Sequence, residues 1–276
     1  MGLFIRKSIE TLQAEAQQSG SKTLKRVLGP VSLVALGVGV IIGAGLFSIT
    51  GTVASEYTGP AITLSFIVAA IGCCFAGLCY AEFASMIPVA GSAYTYSYAT
   101  MGELIAWIIG WDLVLEYTVA ATTVSISWSR YLVVFLQGIG IELPHALSAC
   151  PWDGGIVNIP AMLIVVLMSL ILMRGIAGSS LFNGFIVFLK IGVILVFVIL
   201  GWKFIQAENY VPYIPENTGK LGEFGISGIL RGAAIVFFAF LGFDAVSTAA
   251  QETRNPQRNM PIGILVSLLV CTILYI

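Results

Sequence analysis

Two apolar stretches of this 276-residue chain are interrupted by glycine in similar ways. One reads Gly37-Val38-Gly39-Val40-Ile41-Ile42-Gly43-Ala44-Gly45-Leu46-Phe47, and the other reads Phe237-Phe238-Ala239-Phe240-Leu241-Gly242-Phe243-Asp244. Glycine has no Cβ, so the backbone can leave helical geometry there. In a membrane that is tolerable only where the freed groups face protein or a wet cavity. Bare N–H groups then attract a carboxylate and bare carbonyls an ammonium, and an amino acid zwitterion carries both. The competing account is that Gly43 and Gly45 merely let two helices pack closely, as small residues commonly do in membranes.

Ionisable residues inside apolar runs are costly and point to function. Asp112 and Glu116 are four apart and share one helix face. Lys190 sits within Phe185-Ile186-Val187-Phe188-Leu189-Lys190-Ile191-Gly192-Val193, and Asp244 follows the second interruption directly. A lysine this deep pays desolvation on its charged form, so it is the candidate proton-coupling group, exchanging a proton as its surroundings alternate between wet and dry. The alternative is a lasting ion pair with Asp112 or Glu116. Glu82 falls near the end of its run and reads as structural, and Arg130 lies close enough to an interface to snorkel.

Other chemistry is excluded. The five cysteines, Cys73, Cys74, Cys79, Cys150 and Cys271, have no metal spacing beside histidine, and the one histidine, His145, lies in a polar loop. No metal, cofactor or nucleophile–base pair is expected, and the net charge of −1 with no basic stripe speaks against nucleic acid.

The elements that must hold these residues are membrane helices. Hydrophobic residues make up 58% of the chain, charged residues only 10%, and the mean hydropathy is +0.97, so most of the surface must face lipid. Residues 1–30 read as a cytosolic tail, with Ile5, Ile9, Leu12 and Ala16 at the spacing of a short interfacial helix. Apolar runs follow at 31–55, 60–88, 103–136, 157–173, 182–206 and 226–250. A seventh starts at Pro261 and reaches Ile276, as expected of a fragment. The third run is too long to cross straight. At 1.5 Å per residue, Gly43 and Phe238 each lie about 18 Å into their runs, near the bilayer midplane. With the N-terminus in the cytosol, the inner segments hold Arg6, Lys7, Lys22, Lys25, Arg26, Arg174, Arg254 and Arg258. The outer segments hold only Lys203, Lys220 and Arg231, which supports that orientation.

Taken together, several segments resemble the amino acid–polyamine–organocation superfamily, and within it the bacterial relatives of cationic amino acid transporters. They are Gly43-Ala44-Gly45-Leu46-Phe47, Tyr80-Ala81-Glu82-Phe83 with Pro88-Val89-Ala90-Gly91-Ser92-Ala93-Tyr94, Trp111-Asp112-Leu113-Val114-Leu115-Glu116-Tyr117, Lys190, and Phe237 to Asp244 leading into Glu252-Thr253-Arg254-Asn255-Pro256-Gln257-Arg258. The resemblance implies an all-α polytopic membrane protein with a leucine-transporter-like inverted repeat and broken first and sixth helices, truncated in the second repeat. Residues 31–206 would form the first five-helix repeat, 207–225 an extracytoplasmic linker, and 226–276 the sixth helix and part of the seventh. It further implies that Gly43, Ala44 and Gly45, with Ile42 adjacent, bind the substrate carboxylate. The carbonyls of Phe238, Ala239 and Leu241 would bind the amino group, Lys190 would stand where sodium-coupled cousins hold sodium, and Glu116 and Asp244 would form an acidic side-chain pocket. Ala44 departs from the threonine often found there, so a hydroxyl contact is lost. The expected function is proton-coupled amino acid transport across the plasma membrane by alternating access, favouring cationic or small neutral substrates, with further helices completing the permease. The alternative is a truncated membrane scaffold that does not transport.

Overall fold

The computed structural model describes residues 5–17, 26–173 and 179–276, so Lys22, Lys25 and Arg174 of the charge argument lie outside the described residues. Among the described residues the long elements are all helical, and the sole β pairing is an isolated parallel bridge between Leu28 and Thr253. Five helical segments are long and apolar enough to cross a membrane: Pro30–Met86, which contains the first two runs, Glu103–Gly138, Gly184–Phe204, Gly225–Glu252 and Pro256–Tyr275. The fourth run gives a shorter apolar helix, Ile159–Ile171. The chain is a multi-pass membrane protein.

Two compact units are present, one formed by Met1–Gly110 with Leu181–Ile276 and the other by Trp111–Ser180. The first opens with α1 (Ile9–Gln17), whose N-terminus is capped by Ser8: its Oγ accepts the Thr11 N–H at 3.2 Å. Leu12 is buried and Ile9 packs against the same core, whereas Ile5 is exposed. Helix α2 (Pro30–Ile41) starts on proline, whose missing N–H would have no intrahelical acceptor anyway. The chain resumes as a looser helix through Gly45–Ile49, Thr50–Val53 and Ala54–Thr58, then turns at Gly59, where φ is 60°. Helix α3 (Ile62–Met86) stops where Pro88 disfavours helical geometry at Ile87, and α4 (Ser92–Thr100) follows.

The same unit contains α7 (Ser179–Gly201) and α8 (Gly225–Val236), the second continuing as a tighter turn at Phe237–Phe240. Ser65 Oγ of α3 donates to the Ile229 carbonyl of α8 at 2.8 Å, a polar tie between two otherwise apolar faces. The last helix, α9 (Pro256–Tyr275), corrects the expected start at Pro261. It begins five residues earlier because Pro256 supplies the fixed φ of a first helical position after Asn255 in the left-handed region. Pro261 is carried inside the helix, and the resulting 20 residues span about 30 Å, enough to cross a bilayer. It packs chiefly on α3 and α2.

In the second unit, α5 (Glu103–Gly138) continues from the first as one uninterrupted helix of 36 residues, about 54 Å long. Helix α6 (Ile159–Met173) is capped by Asn158, whose Oδ1 accepts the Ala161 N–H at 3.0 Å and the Ser129 hydroxyl at 2.6 Å. Arg130 does not simply snorkel: its Nη2 pairs with Asp153 Oδ2 at 2.6 Å, tying the helix to the following loop. His145 is exposed at the start of a short turn, and Glu82 of the first unit is also exposed.

Candidate binding site at two broken helices

The first break is where the glycines place it. Ile42 takes φ −72°, ψ 109°, which ends α2, and the helical path restarts at Gly45 after Ala44. The first N–H groups of a restarting helix have no acceptor one turn back, so the amides of Gly43 to Gly45 are the donors available to an anion. The carbonyls at the end of α2 are already served. Lys190 Nζ donates to the carbonyls of Gly39 and Ile42, both at 2.7 Å. The Gly43 carbonyl accepts the Phe47 N–H at 3.3 Å. Lys190 thus directs its protons to the frayed backbone of the first helix, and neither of these two bonds goes to a carboxylate, as the ion-pair alternative would require.

The second break follows the tight turn at Phe237–Phe240. Leu241 is extended at φ −55°, ψ 141°, and Gly242 has φ 103°, a conformation that strains any residue with a side chain. Asp244 is buried and leads into a short helix, Ala245–Thr248, its carbonyl accepting the Ser247 N–H at 2.8 Å. The expected ammonium acceptors differ in availability. The Phe238 carbonyl takes a long bond from the Leu241 N–H at 3.3 Å, whereas Ala239 already accepts a side-chain proton.

The two breaks touch. A Cβ built on Gly45 would stand 2.4 Å from Ala239 Cα, so only glycine permits this approach. Gly43 has nothing within 4 Å of the same position. The packing account therefore applies to Gly45, and Gly43 faces open space.

Tyr275, at the end of α9, joins the breaks from behind and is not among the residues that the sequence motifs single out. Its hydroxyl lies 3.1 Å from the Ile41 carbonyl and 2.9 Å from that of Ala239. A hydroxyl has one proton, so it donates to one of these carbonyls at a time. Its ring packs on Phe66 and Phe240, with centroids 5.4 and 5.2 Å away. The one available sequence signal was physical: a tyrosine ending an apolar run must find an acceptor if its hydroxyl is buried.

Ile42, Gly45, Ala239 and Lys190 are thus brought together in the first unit, with Gly43, Ala44, Phe238, Leu241 and Asp244 on the same two breaks. Glu116 belongs to the second unit, half-buried on α5 one turn after the exposed Asp112. Among the described residues, no group of three or more His, Cys, Asp or Glu side chains is placed to hold a metal.

Comparison with known proteins identifies the family. The family described as amino acid permease matches residues 28–276. The chain belongs to that family. It is 48% identical to the methylthioribose transporter of Bacillus subtilis (strain 168) over 99% of its own length and 58% of the relative's. It is 49% identical to that organism's branched-chain amino acid permease BcaP, covering 99% and 57%. It is 38% identical to the vacuolar cationic amino acid transporter 4 of Arabidopsis thaliana, covering 99% and 45%. These relatives are transporters, not enzymes. The chain spans about half of the length of the curated relatives it matches.

Proposed function

We propose that this chain provides the substrate site of a secondary active permease that carries an amino acid across the plasma membrane by alternating access. The observation that carries the reading is the contact between the two breaks. It sets amide donors of one helix beside carbonyl acceptors of another, as a zwitterion requires. The substrate carboxylate is assigned to the amides of Gly43, Ala44 and Gly45 beside Ile42, and the ammonium to the carbonyls of Phe238, Ala239 and Leu241. The fold is assigned as an inverted repeat with the N-terminus in the cytosol, the remaining helices of the permease completing the second half.

Proton coupling is assigned to Lys190. Its two bonds to Gly39 and Ile42 hold α7 against the broken end of α2 while the amine is charged. Loss of the proton removes the charge assistance from both bonds and loosens that attachment. Asp244 and Glu116 are each assigned a part in recognising the substrate side chain, so cationic or small neutral amino acids are the favoured cargo. A relative named for cationic amino acids supports the cationic class, and one named for branched-chain amino acids shows that neutral cargo also occurs among the relatives.

The test uses the full-length permease in proteoliposomes. Lys190→Ala is expected to abolish uptake driven by a pH gradient while amino acid binding persists. Uptake by that variant that still follows the pH gradient refutes the coupling role. Failure of the unaltered protein to bind any amino acid refutes the site.

A further inference from the structure

The ends of three membrane helices converge on one polar cleft of the first unit. Helix α2 starts at Pro30, α3 stops at Met86 and α9 starts at Pro256. The cleft has a volume of about 540 Å³ and is lined by Arg26, by Pro88 and Val89, and by the turn from Asn255 to Arg258. Among the described residues, the lining holds two arginines and no acidic side chain. Spanning helices end where hydrocarbon gives way to headgroups, so the cleft lies at headgroup depth.

The backbone around the cleft is fixed. The Leu28 N–H donates to the Glu252 carbonyl at 3.0 Å, and the Arg254 N–H donates to the Leu28 carbonyl at 2.9 Å. Arg254 Nε donates to the Arg26 carbonyl at 3.2 Å, and Asn259 Nδ2 donates to the Arg254 carbonyl from the first turns of α9. The segment before α2 is thereby pinned to the segment before α9, and this pinning brings Arg26 and Arg258 to one cleft. Other arginines are engaged by protein: Arg130 pairs with Asp153, Arg231 lies over the Tyr57 ring at 4.4 Å, and Arg254 serves a carbonyl. The guanidinium groups of Arg26 and Arg258 make no hydrogen bond or ion pair with another described residue. Two like charges on one cleft repel, and an anion between them relieves that cost.

The chemistry selects phosphate, because the planar fork of arginine matches its oxygens two at a time. At roughly 30 Å³ per water, the cleft of about 540 Å³ has room for about eighteen waters, far more than a lone phosphate fills. Its flank is apolar: Val27 and Val31, just after Arg26, and Met86, just before Pro88, are all exposed. A soluble anion gains nothing from such a flank, whereas acyl chains do.

We infer that this cleft binds the headgroup of an anionic phospholipid, with Arg26 and Arg258 as the ligands of its phosphate. The leaflet follows from the proposed cytosolic N-terminus, which makes it the inner one, where anionic lipids attract basic residues beside membrane helices. The site itself does not depend on the transport reading. A bound headgroup bridges the entry to α2, the helix that carries the first break, and the start of α9, the helix that ends in Tyr275.

The test is the double variant Arg26→Gln/Arg258→Gln of the full-length permease. Both side chains are exposed and unpaired, so the variant should fold, and Arg254 is left intact because it holds the backbone. Lys203→Gln serves as control, since Lys203 is an exposed cation outside the cleft. Protein in a neutral detergent is titrated with phosphatidylglycerol, with phosphatidylcholine and with inorganic phosphate, and thermal unfolding is followed. Phosphatidylglycerol should raise the unfolding temperature of the unaltered protein and of Lys203→Gln, and phosphatidylcholine should not. The amount of phosphatidylglycerol that gives half of the rise should increase by roughly tenfold or more in the double variant. An equal response in the double variant, or an equal loss in Lys203→Gln, overturns the inference, because general charge then attracts the lipid. Absence of any rise in the unaltered protein overturns it too. Full stabilisation by inorganic phosphate alone overturns the lipid assignment in favour of a soluble anion. Failure of the unaltered protein to bind amino acids refutes the transport reading, while the lipid titrations still decide the headgroup site.

Discussion

Two glycines two residues apart in the first break should respond in opposite ways to the same substitution. In Gly45→Ala the new methyl would meet Ala239 Cα at 2.4 Å, its Cβ at 2.8 Å and its amide nitrogen at 2.9 Å. Ordinary carbon contacts lie at about 3.5–4.0 Å, so the two breaks must separate by roughly 1 Å. The obstructing atoms are mostly backbone, and no side-chain rotation relieves them. Overpacking of this kind costs typically about 1–3 kcal/mol, and the rigid neighbour places Gly45→Ala at the upper end. For a full-length permease nearly twice this chain's length, about 1–2 °C per kcal/mol applies, so the unfolding temperature should fall by about 3–6 °C. Gly43→Ala meets nothing within 4 Å and its φ lies outside the strained region, so stability should hold or rise slightly. Its methyl would, however, occupy the space assigned to the substrate carboxylate, and binding should weaken by roughly tenfold, equivalent to about 1.4 kcal/mol. Both variants of the full-length permease would be followed by thermal unfolding in detergent and by equilibrium binding of labelled amino acids. Destabilisation by Gly43→Ala with none by Gly45→Ala would refute the reasoning, because it would reverse which glycine is the packing contact.

Three further outcomes are expected. Tyr275→Phe keeps the ring packing on Phe66 and Phe240 but leaves the Ile41 and Ala239 carbonyls without their donor, so stability should fall by about 1–3 kcal/mol, read from thermal unfolding. If the side-chain pocket is acidic, Asp244→Asn and Glu116→Gln should each weaken a cationic substrate more than a neutral one in competition binding. An unchanged profile in both would remove the pocket. In the loop before α8, Glu223 accepts a hydrogen bond from Thr218 at 3.0 Å and pairs with Lys220 at 3.3 Å, which hold its carboxyl below the ordinary range. A carboxylate whose pKa is lowered on folding stabilises above its unfolded value and loses that effect as pH falls through its folded value. The stability difference between the unaltered protein and Glu223→Gln should therefore be present at neutral pH and disappear in acid.

The breaks could be read from the sequence because their cause is local. Glycine at 43, 45 and 242 changes what the backbone at those positions can do, whatever surrounds it. Pro261 looks like a helix boundary in the sequence, whereas Pro256 takes that role and Pro261 is absorbed into α9. What makes a break sustainable is not local at all. Ending α2 at Ile41 releases the carbonyls of Gly39, Ile41 and Ile42 inside an apolar protein, and each must find a donor or lose about the worth of a buried hydrogen bond. Those donors come from Lys190 on α7 and Tyr275 on α9, more than a hundred residues away along the chain. Lysine in an apolar run is conspicuous in a sequence, so it drew attention, but as a partner for carboxylates or a proton carrier rather than as a cap for carbonyls. Tyrosine at the end of such a run looks like an ordinary interfacial aromatic, so it drew none. One of these side chains, Tyr275, also reaches the second break, through the Ala239 carbonyl. A donor that serves both breaks ties their geometries together, so a ligand that displaces the Tyr275 hydroxyl from Ala239 at one of them leaves its proton to the Ile41 carbonyl at the other.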